Sequence, residues 1–294
     1  MSDDPYWNTD PGGEPSGRFS GGDPLVTDSF DGWWNASLAV VRRSWRSVGL
    51  ILLLGVVLPR WVFGSYRSLT DGDRIEVDDL AGTWWPGASA AVAGGLLGLI
   101  LLYVAGAAVL AATRTAAAEA AGGFLALGEA FSFGFRRGWK FWLWLILAWI
   151  TVSVGLVACV LPGLWAAFAL SLMGPAAVFE AHRSPYARSI QLTHSAFWAS
   201  LGRLIIVVLV AFAANLVIGV VGVLLAGTWH AVFAGWLASV LTVVTEAVMA
   251  LLLLAPMIWV LGAALCTYAW LRGRAESVSS TSLSAEAAAG ARNR

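Results

Sequence analysis

The sequence predicts an all-α polytopic membrane protein with six transmembrane helices in three hairpins, preceded by interfacial amphipathic entry helices. Hydrophobic residues make up 59% of the 294 residues and charged residues only 12%. Soluble domains usually contain about 25% charged residues. The uncharged runs reach the ~20 residues that a helix needs to cross a hydrocarbon core. Such a chain has too little polar surface to form a water-soluble globule.

The predicted membrane domain covers residues 30–274. Its six spans are residues 47–66, 88–112, 141–160, 162–181, 202–227 and 245–271. Leu161-Pro162-Gly163 separates the third and fourth spans, so these two must form a helical hairpin. Residues 1–29 and 275–294 are rich in small and polar residues and are predicted to be disordered cytoplasmic tails, since they can bury little apolar surface.

The basic residues are distributed unevenly between the two faces that these spans define. If both termini are cytoplasmic, 15 of the 18 basic residues lie inside: Arg18, Arg42, Arg43, Arg46, Arg114, Arg136, Arg137, Lys140, Arg183, Arg188, Arg203, Arg272, Arg274, Arg292 and Arg294. Only Arg60, Arg67 and Arg74 remain outside. Cytoplasmic loops of membrane proteins carry such an excess. We therefore expect a multi-pass protein of a bacterial inner membrane with both termini in the cytoplasm.

Three inner segments resemble one another as entry helices. The first ends in Arg42-Arg43-Ser44-Trp45-Arg46, and the second ends in Arg136-Arg137-Gly138-Trp139-Lys140. The third begins at Ser184-Pro185 and ends at Trp198, without the basic pair. In the first, Phe30, Trp34, Leu38, Val41 and Trp45 recur at three- and four-residue steps, which indicates one helix face.

These entry helices are predicted to lie in the inner headgroup plane. The candidate lipid-headgroup contacts are Arg42, Arg43, Arg46, Arg136, Arg137 and Lys140. In the alternative interpretation, the arginine and tryptophan residues only set the topology of the chain.

A run of short motifs resembles a known family. The motifs are Gly174-Pro175-Ala176-Ala177-Val178-Phe179-Glu180, Ser184-Pro185, Ala187-Arg188-Ser189 and Phe197-Trp198. They are similar to the membrane domain of some bacterial glycerophosphoryl diester phosphodiesterases and to stand-alone six-span actinobacterial membrane proteins of unknown function. The resemblance covers residues 30–274 and implies the six-span fold. It implies no activity, because this chain has no room for the soluble catalytic barrel of those enzymes.

No catalytic or metal-binding motif is found in the sequence, which predicts a protein that is not an enzyme and that binds no cofactor or metal. The metalloprotease, nucleophile-elbow, phosphate-loop and dinucleotide-binding motifs are all absent. Cys159 and Cys266 each lie in an apolar run. Glu180 and His182 are predicted to be a solvated pair at the membrane boundary, with proton transfer as the alternative.

Two further features are candidates for binding. Asn215 and Glu246 are predicted to approach one another as an intramembrane polar site, although Glu246 could equally lie at the outer interface or bond two helices. Gly94 and Gly98 form a GxxxG pattern, which indicates close helix packing within the chain or in a homodimer.

Two functions remain open on the sequence alone. The first is an accessory or scaffold protein that interacts with membrane lipids and with a membrane protein partner or a second copy. The second is a small transporter that uses Asn215 and Glu246. Nucleic acid is not an expected partner, because the 18 basic and 18 acidic residues cancel.

Overall fold

The structure, a computed structural model, describes residues 23–27, 29–71, 84–180, 183–233, 235–274 and 276–292, without the side chains of 66–71, 84–94 and 292. Its helices are α1 (Phe30–Leu52), α2 (Leu58–Asp71), α3 (Trp84–Ala120), α4 (Leu127–Ala158), α5 (Val160–Leu170), α6 (Met173–Phe179), α7 (Pro185–Ser195), α8 (Phe197–Val232), α9 (Trp236–Leu252), α10 (Leu254–Gly273) and α11 (Ser280–Arg292). A π-helical segment, Leu53–Val57, joins α1 to α2.

Among the described residues, six helical stretches are long and apolar enough to cross a membrane, which confirms the predicted fold class. They are Phe30–Ser65, Gly95–Ala120, Leu127–Ala158, Val160–Phe179, Phe197–Val232 and Trp236–Gly273. Each overlaps one predicted span, but the first, fifth and sixth contain 36, 36 and 38 residues. This exceeds the ~20 residues that a span requires.

The first two entry helices differ from their prediction, because they are continuous with the spans that follow them. Helix α1 begins at Phe30 and helix α4 at Leu127, and both run without a break through the basic segments. Their basic segments contain no proline, so nothing in them removes a helical hydrogen bond. Only the third entry helix, α7, is separate from its span, because the backbone leaves the helical region at Ala196 (φ −144°, ψ 59°).

Helix α7 begins as predicted, with Ser184 as its N-cap, and it packs against spans three and four. Tyr186 donates a hydrogen bond to Thr151 in α4 (3.3 Å). Ser189 donates to the carbonyl of Ala169 (2.7 Å) and accepts from the backbone N–H of Leu172 (3.2 Å). The fourth span is broken at this point, so Ser189 satisfies backbone groups that lipid could not.

The hairpin between spans three and four turns two residues earlier than Leu161-Pro162-Gly163 suggests. Helix α4 ends at Ala158, Cys159 is extended, and α5 begins at Val160. Pro162 is tolerated in the first turn of α5, where backbone N–H groups have no helical partner. A Cβ atom on Gly155 would lie 2.9 Å from the backbone of Gly163, so glycine is required for this close approach.

Helices α3 and α4 approach closely at Gly134 and Gly138, a second GxxxG pattern in the sequence, rather than at the predicted pair Gly94 and Gly98. A Cβ atom on Gly134 would lie 2.2 Å from the carbonyl oxygen of Ala107, and one on Gly138 would lie 3.2 Å from the Cβ of Ala107. In contrast, a Cβ on Gly98 would meet no described atom within 4 Å. The expected internal packing at Gly98 is therefore not found among the described residues, and Gly94 lies outside the described side chains.

The described parts of the two predicted tails differ from the predicted disorder. Residues 280–292 form α11, which packs against α3 and α6 and buries Leu283 and Ala287. These two residues are four apart and share one helix face, a pattern hidden by the Ser and Ala composition. Leu25, within the predicted N-terminal tail, is also buried, and residues 1–22 lie outside the described part.

The Asp23 carboxylate accepts a hydrogen bond from the backbone N–H of Ser280 (2.7 Å). The start of the described chain and its last helix therefore lie on the same face of the bundle, as an even number of spans requires.

Gly134→Ala is expected to destabilise the protein by about 1–3 kcal/mol, because the new methyl group would overlap the Ala107 carbonyl oxygen. The measurement is thermal unfolding of the detergent-solubilised protein. The matched control is Gly202→Ala in α8, where a Cβ meets open space and gains up to about 1 kcal/mol of helix propensity. An unfolding temperature that does not fall in Gly134→Ala would contradict the close approach of α3 and α4.

Candidate functional site

A buried ion pair joins the end of α6 to α7. The side chains of Glu180 and Arg188 are 8% and 7% exposed, and Glu180 Oε1 accepts a hydrogen bond from Arg188 Nε at 2.7 Å. The Tyr268 hydroxyl donates to the same oxygen at 2.8 Å. Glu180 is thus not the solvated boundary residue that the sequence predicted, and His182 lies outside the described residues.

The ion pair extends into a network that reaches α11. Arg188 contacts Glu276 (3.2 Å), and Arg272 also donates to Glu276 (2.9 Å). Arg272 then binds both carboxylate oxygens of Glu286 in α11, at 2.6 and 2.9 Å. Burial acts to raise the pKa of Glu276, but the hydrogen bond from Arg272 and the charges of Arg272 and Arg188 hold that pKa below its usual value. We refer to Glu180, Arg188, Arg272, Glu276 and Glu286 as the ion network.

The predicted lipid-headgroup contacts are mostly accessible. Arg42, Arg43, Arg46, Arg136 and Lys140 are exposed, and Arg137 is partly exposed. Arg46 lies over the ring of Trp45 (5.2 Å), and Arg43 donates to the carbonyl of Ala120 (3.1 Å). Trp45 and Trp139 are 55% and 58% exposed.

The face of α1 that does not carry the exposed arginines is buried against α10. Trp33 donates to the Thr267 hydroxyl (3.0 Å), and Trp259 donates to the Ser37 hydroxyl (3.1 Å). The face of α1 that is buried runs through Trp33, Ser37 and Val40. It lies about one residue away from the apolar face through Trp34 and Leu38 that the periodicity indicated.

Arg114, Arg136 and Arg137 line a cavity of about 610 Å³, which we call the arginine pocket. Its other described lining residues are Glu129, Ser132, Phe133, Ala288, Gly290 and Ala291. The Arg114 side chain is 7% exposed and contacts Glu129 Oε1 at 2.7 Å. The sequence analysis named Arg136 and Arg137 as candidate binding residues but did not name Arg114 and Glu129. These two residues pair across the α3–α4 connection, and no helical periodicity in the sequence indicates such a contact.

Asn215 and Glu246 line one cavity of about 380 Å³, together with Arg60, Trp61 and Thr245. The structure thus brings the two predicted residues to a common space. Glu246 accepts a hydrogen bond from the Ser65 hydroxyl (3.2 Å), whereas the Asn215 amide donates to the Ala211 carbonyl in its own helix (2.8 Å).

Asn215 also lines a second, larger cavity of about 530 Å³ between α3 and α4 on one side and α8 and α10 on the other. This cavity is lined almost entirely by apolar side chains, and Ser171, at the break in the fourth span, borders it. Asn215 therefore lies where the two cavities approach each other.

Arg188→Met is expected to cost about 3–5 kcal/mol in stability, because Glu180 would remain buried without its charged partner. The double variant Glu180→Gln/Arg188→Met should recover part of this loss. The measurement is unfolding of the solubilised protein in increasing denaturing detergent. Arg183→Met is the matched control, because Arg183 is 62% exposed and lies 3.7 Å from Glu180, and such surface pairs contribute at most about 1 kcal/mol. Equal stability of Arg188→Met and the control would refute the role of the pair.

A scan against protein-family models and searches of curated proteins and of solved structures found no match. Among the described residues, no group of three or more His, Cys, Asp or Glu side chains is placed to hold a metal ion. In its described residues the chain is all-α and has six helical stretches that are long and apolar enough to cross a membrane. Its function has to be inferred from the surfaces and cavities described above.

Proposed function

We propose that the protein is a non-enzymatic accessory or scaffold protein of a bacterial inner membrane that holds anionic lipids at its cytoplasmic face. The observation that carries this proposal is a set of accessible cations beside exposed tryptophans at equivalent places in α1 and α4. This inner basic band consists of Arg42, Arg43, Arg46, Arg136, Arg137 and Lys140.

The chemistry of the band suits a lipid headgroup layer. The indoles of Trp45 and Trp139 favour the headgroup level, and neighbouring guanidinium groups form bidentate hydrogen bonds with phosphates. A cation near an anionic membrane surface contributes about 1 kcal/mol to the attraction. Because Arg46 stacks on Trp45 and Arg43 is bonded to a carbonyl, these side chains are already oriented before a lipid binds.

The topology of the chain supports a cytoplasmic location for the band. The two ends of the described chain lie on the same face, since Asp23 accepts a hydrogen bond from Ser280, and the excess of basic residues on that face favours the cytoplasm. The resemblance to stand-alone six-span membrane proteins agrees with an accessory role. A membrane protein partner, or a second copy bound at Gly94 and Gly98, remains part of this proposal.

A small transporter is the second candidate function, and one specific observation favours it. Asn215 lies between an apolar cavity and a more polar cavity that contains Glu246 and Arg60. The fourth span is also broken, as helices at transporter binding sites often are. A solute with an apolar body and a cationic group would match the apolar lining and the Glu246 carboxylate.

Replacement of all six band residues by glutamine is expected to reduce binding of the protein to anionic lipid at least tenfold, since each lost cation removes about 1 kcal/mol and 1.4 kcal/mol corresponds to a factor of ten. The measurement is the ratio of anionic to zwitterionic lipid that remains with the protein after gentle extraction. Arg60→Gln, on the opposite face, is the control. An unchanged ratio in the six-residue variant would refute the lipid-binding role.

For the transporter alternative, Glu246→Gln is expected to abolish uptake into proteoliposomes of an aromatic quaternary ammonium ion that crosses a protein-free bilayer only slowly, such as benzyltrimethylammonium. The reason is the loss of the carboxylate that would attract the cation. Asp31→Asn, an exposed substitution in α1, is the control. Equal accumulation by wild type and Glu246→Gln excludes Glu246 as a transport residue.

A further inference from the structure

We infer that the arginine pocket is a specific site for one anionic phosphate ester group. This inference rests on the proposed lipid-binding function and narrows it from a general attraction to a single site. The phosphate ester could be carried by a phospholipid headgroup or by a soluble molecule, and the experiment below distinguishes these two sources.

The charge of the pocket suits a phosphate. Among the described lining residues there are three guanidinium groups, on Arg114, Arg136 and Arg137, and one carboxylate, on Glu129, which gives a net charge of +2. A phosphate monoester carries about −1.5 to −2 near neutral pH, and the phosphodiester of a phospholipid headgroup carries about −1. The positive pocket attracts either group. Arginine is the side chain best suited to hold phosphate oxygens, because its planar donors match their geometry.

The pocket is also built before any ligand arrives. Arg114 and Arg137 lie over the same ring, that of Phe133, at 4.7 and 5.5 Å. The buried Arg114 also contacts the Glu129 carboxylate at 2.7 Å. Two of the three guanidinium groups are therefore fixed by neighbours, which lowers the entropic cost of ligand binding.

The size and walls of the pocket suit more than a bare ion. A volume of about 610 Å³ falls within the range of small-molecule sites, roughly 300–1,000 Å³. Ala288, Gly290 and Ala291 of α11 form one wall and leave room because their side chains are small or absent. Ser132 and the exposed Glu129 carboxylate can bond to hydroxyl groups on the ester substituent.

Two double variants distinguish lipid binding in the arginine pocket from lipid binding along the rest of the inner basic band. Arg136→Gln/Arg137→Gln removes two charges from the pocket, whereas Arg42→Gln/Lys140→Gln removes two band charges that do not line it. Phosphatidylglycerol is supplied to the full-length protein in detergent, and bound lipid is counted by native mass spectrometry.

We expect the wild type to retain one tightly bound lipid. The affinity for that lipid should fall about tenfold or more in the pocket variant, because charge-assisted hydrogen bonds are lost. The Arg42→Gln/Lys140→Gln protein should lose weakly bound lipid but keep the tight one. Ala288→Trp, which fills the pocket without changing its charge, should also lose the tight lipid, while its unfolding temperature in lipid-free detergent should equal that of the delipidated wild type.

The source of the phosphate is tested with soluble glycerol 3-phosphate. If this compound raises the unfolding temperature of the wild type but not of the pocket variant, the site accepts the soluble ester. If only phosphatidylglycerol raises the unfolding temperature of the wild type but not of the pocket variant, the ligand is a membrane lipid. Both results support the site.

Two results would overturn the inference, and they have different consequences. Equal loss of lipid from the two double variants would mean that the inner face attracts lipid by general charge, so the specific site would be wrong while the proposed function stands. If neither double variant loses lipid and the six-residue variant also retains it, both proposals are wrong.

Discussion

The end of the bundle that carries both ends of the described chain depends on the ion pair between Glu180 and Arg188. Burial of two charges costs several kcal/mol for each ion, and the cost is offset only where further hydrogen bonds satisfy both groups. Tyr268 supplies one such bond to Glu180, and Gln191 and Glu276 accept bonds from Arg188. The partners come from α7, α10 and the segment before α11, so these elements are held in one arrangement. Through Arg272 and Glu286 the same network holds α11, which forms a wall of the arginine pocket.

The bilayer imposes a second constraint, because hydrocarbon offers no partner to a free backbone group. The break in the fourth span leaves carbonyl and N–H groups that a lipid cannot satisfy, and Ser189 of α7 bonds to one of each. This requirement explains why α7 packs against the spans although its amphipathic sequence resembles a surface helix. The break also places Ser171 beside the apolar cavity. The break in the fourth span is therefore where Ser189 holds α7 in place and where Ser171 borders the apolar cavity.

The spans could be predicted from the sequence because hydrophobic length and helix breakers are local properties of the chain. Asn215 and Glu246 line one cavity, as expected for polar residues on adjacent spans. The buried face of α1 was missed because it includes Ser37, whose hydroxyl is satisfied by Trp259, 222 residues away. Helix α11 was missed because Leu283 and Ala287 form an apolar face only once α3 and α6 are there to cover it. Periodicity reports what one helix can bury, whereas these contacts depend on which helices become neighbours.

Arginine residues at an inner membrane face have two explanations, topology and ligand binding, and burial separates them. An arginine that only directs topology keeps its charge in water, so exposure alone, as at Arg42, is compatible with either explanation. Arg114 has lost most of its water, with a side chain 7% exposed, and its carboxylate partner Glu129 is itself 58% exposed. Arg136 and Arg137 lie beside Arg114, so the pocket has a net positive charge. Repulsion among its three guanidinium groups is unfavourable for the folded state. A bound anion relieves this repulsion, and any ligand that binds only the folded state also stabilises that state. The burial of Arg114 therefore makes the arginine pocket the place on the inner face where anion binding and folding stability are most directly coupled.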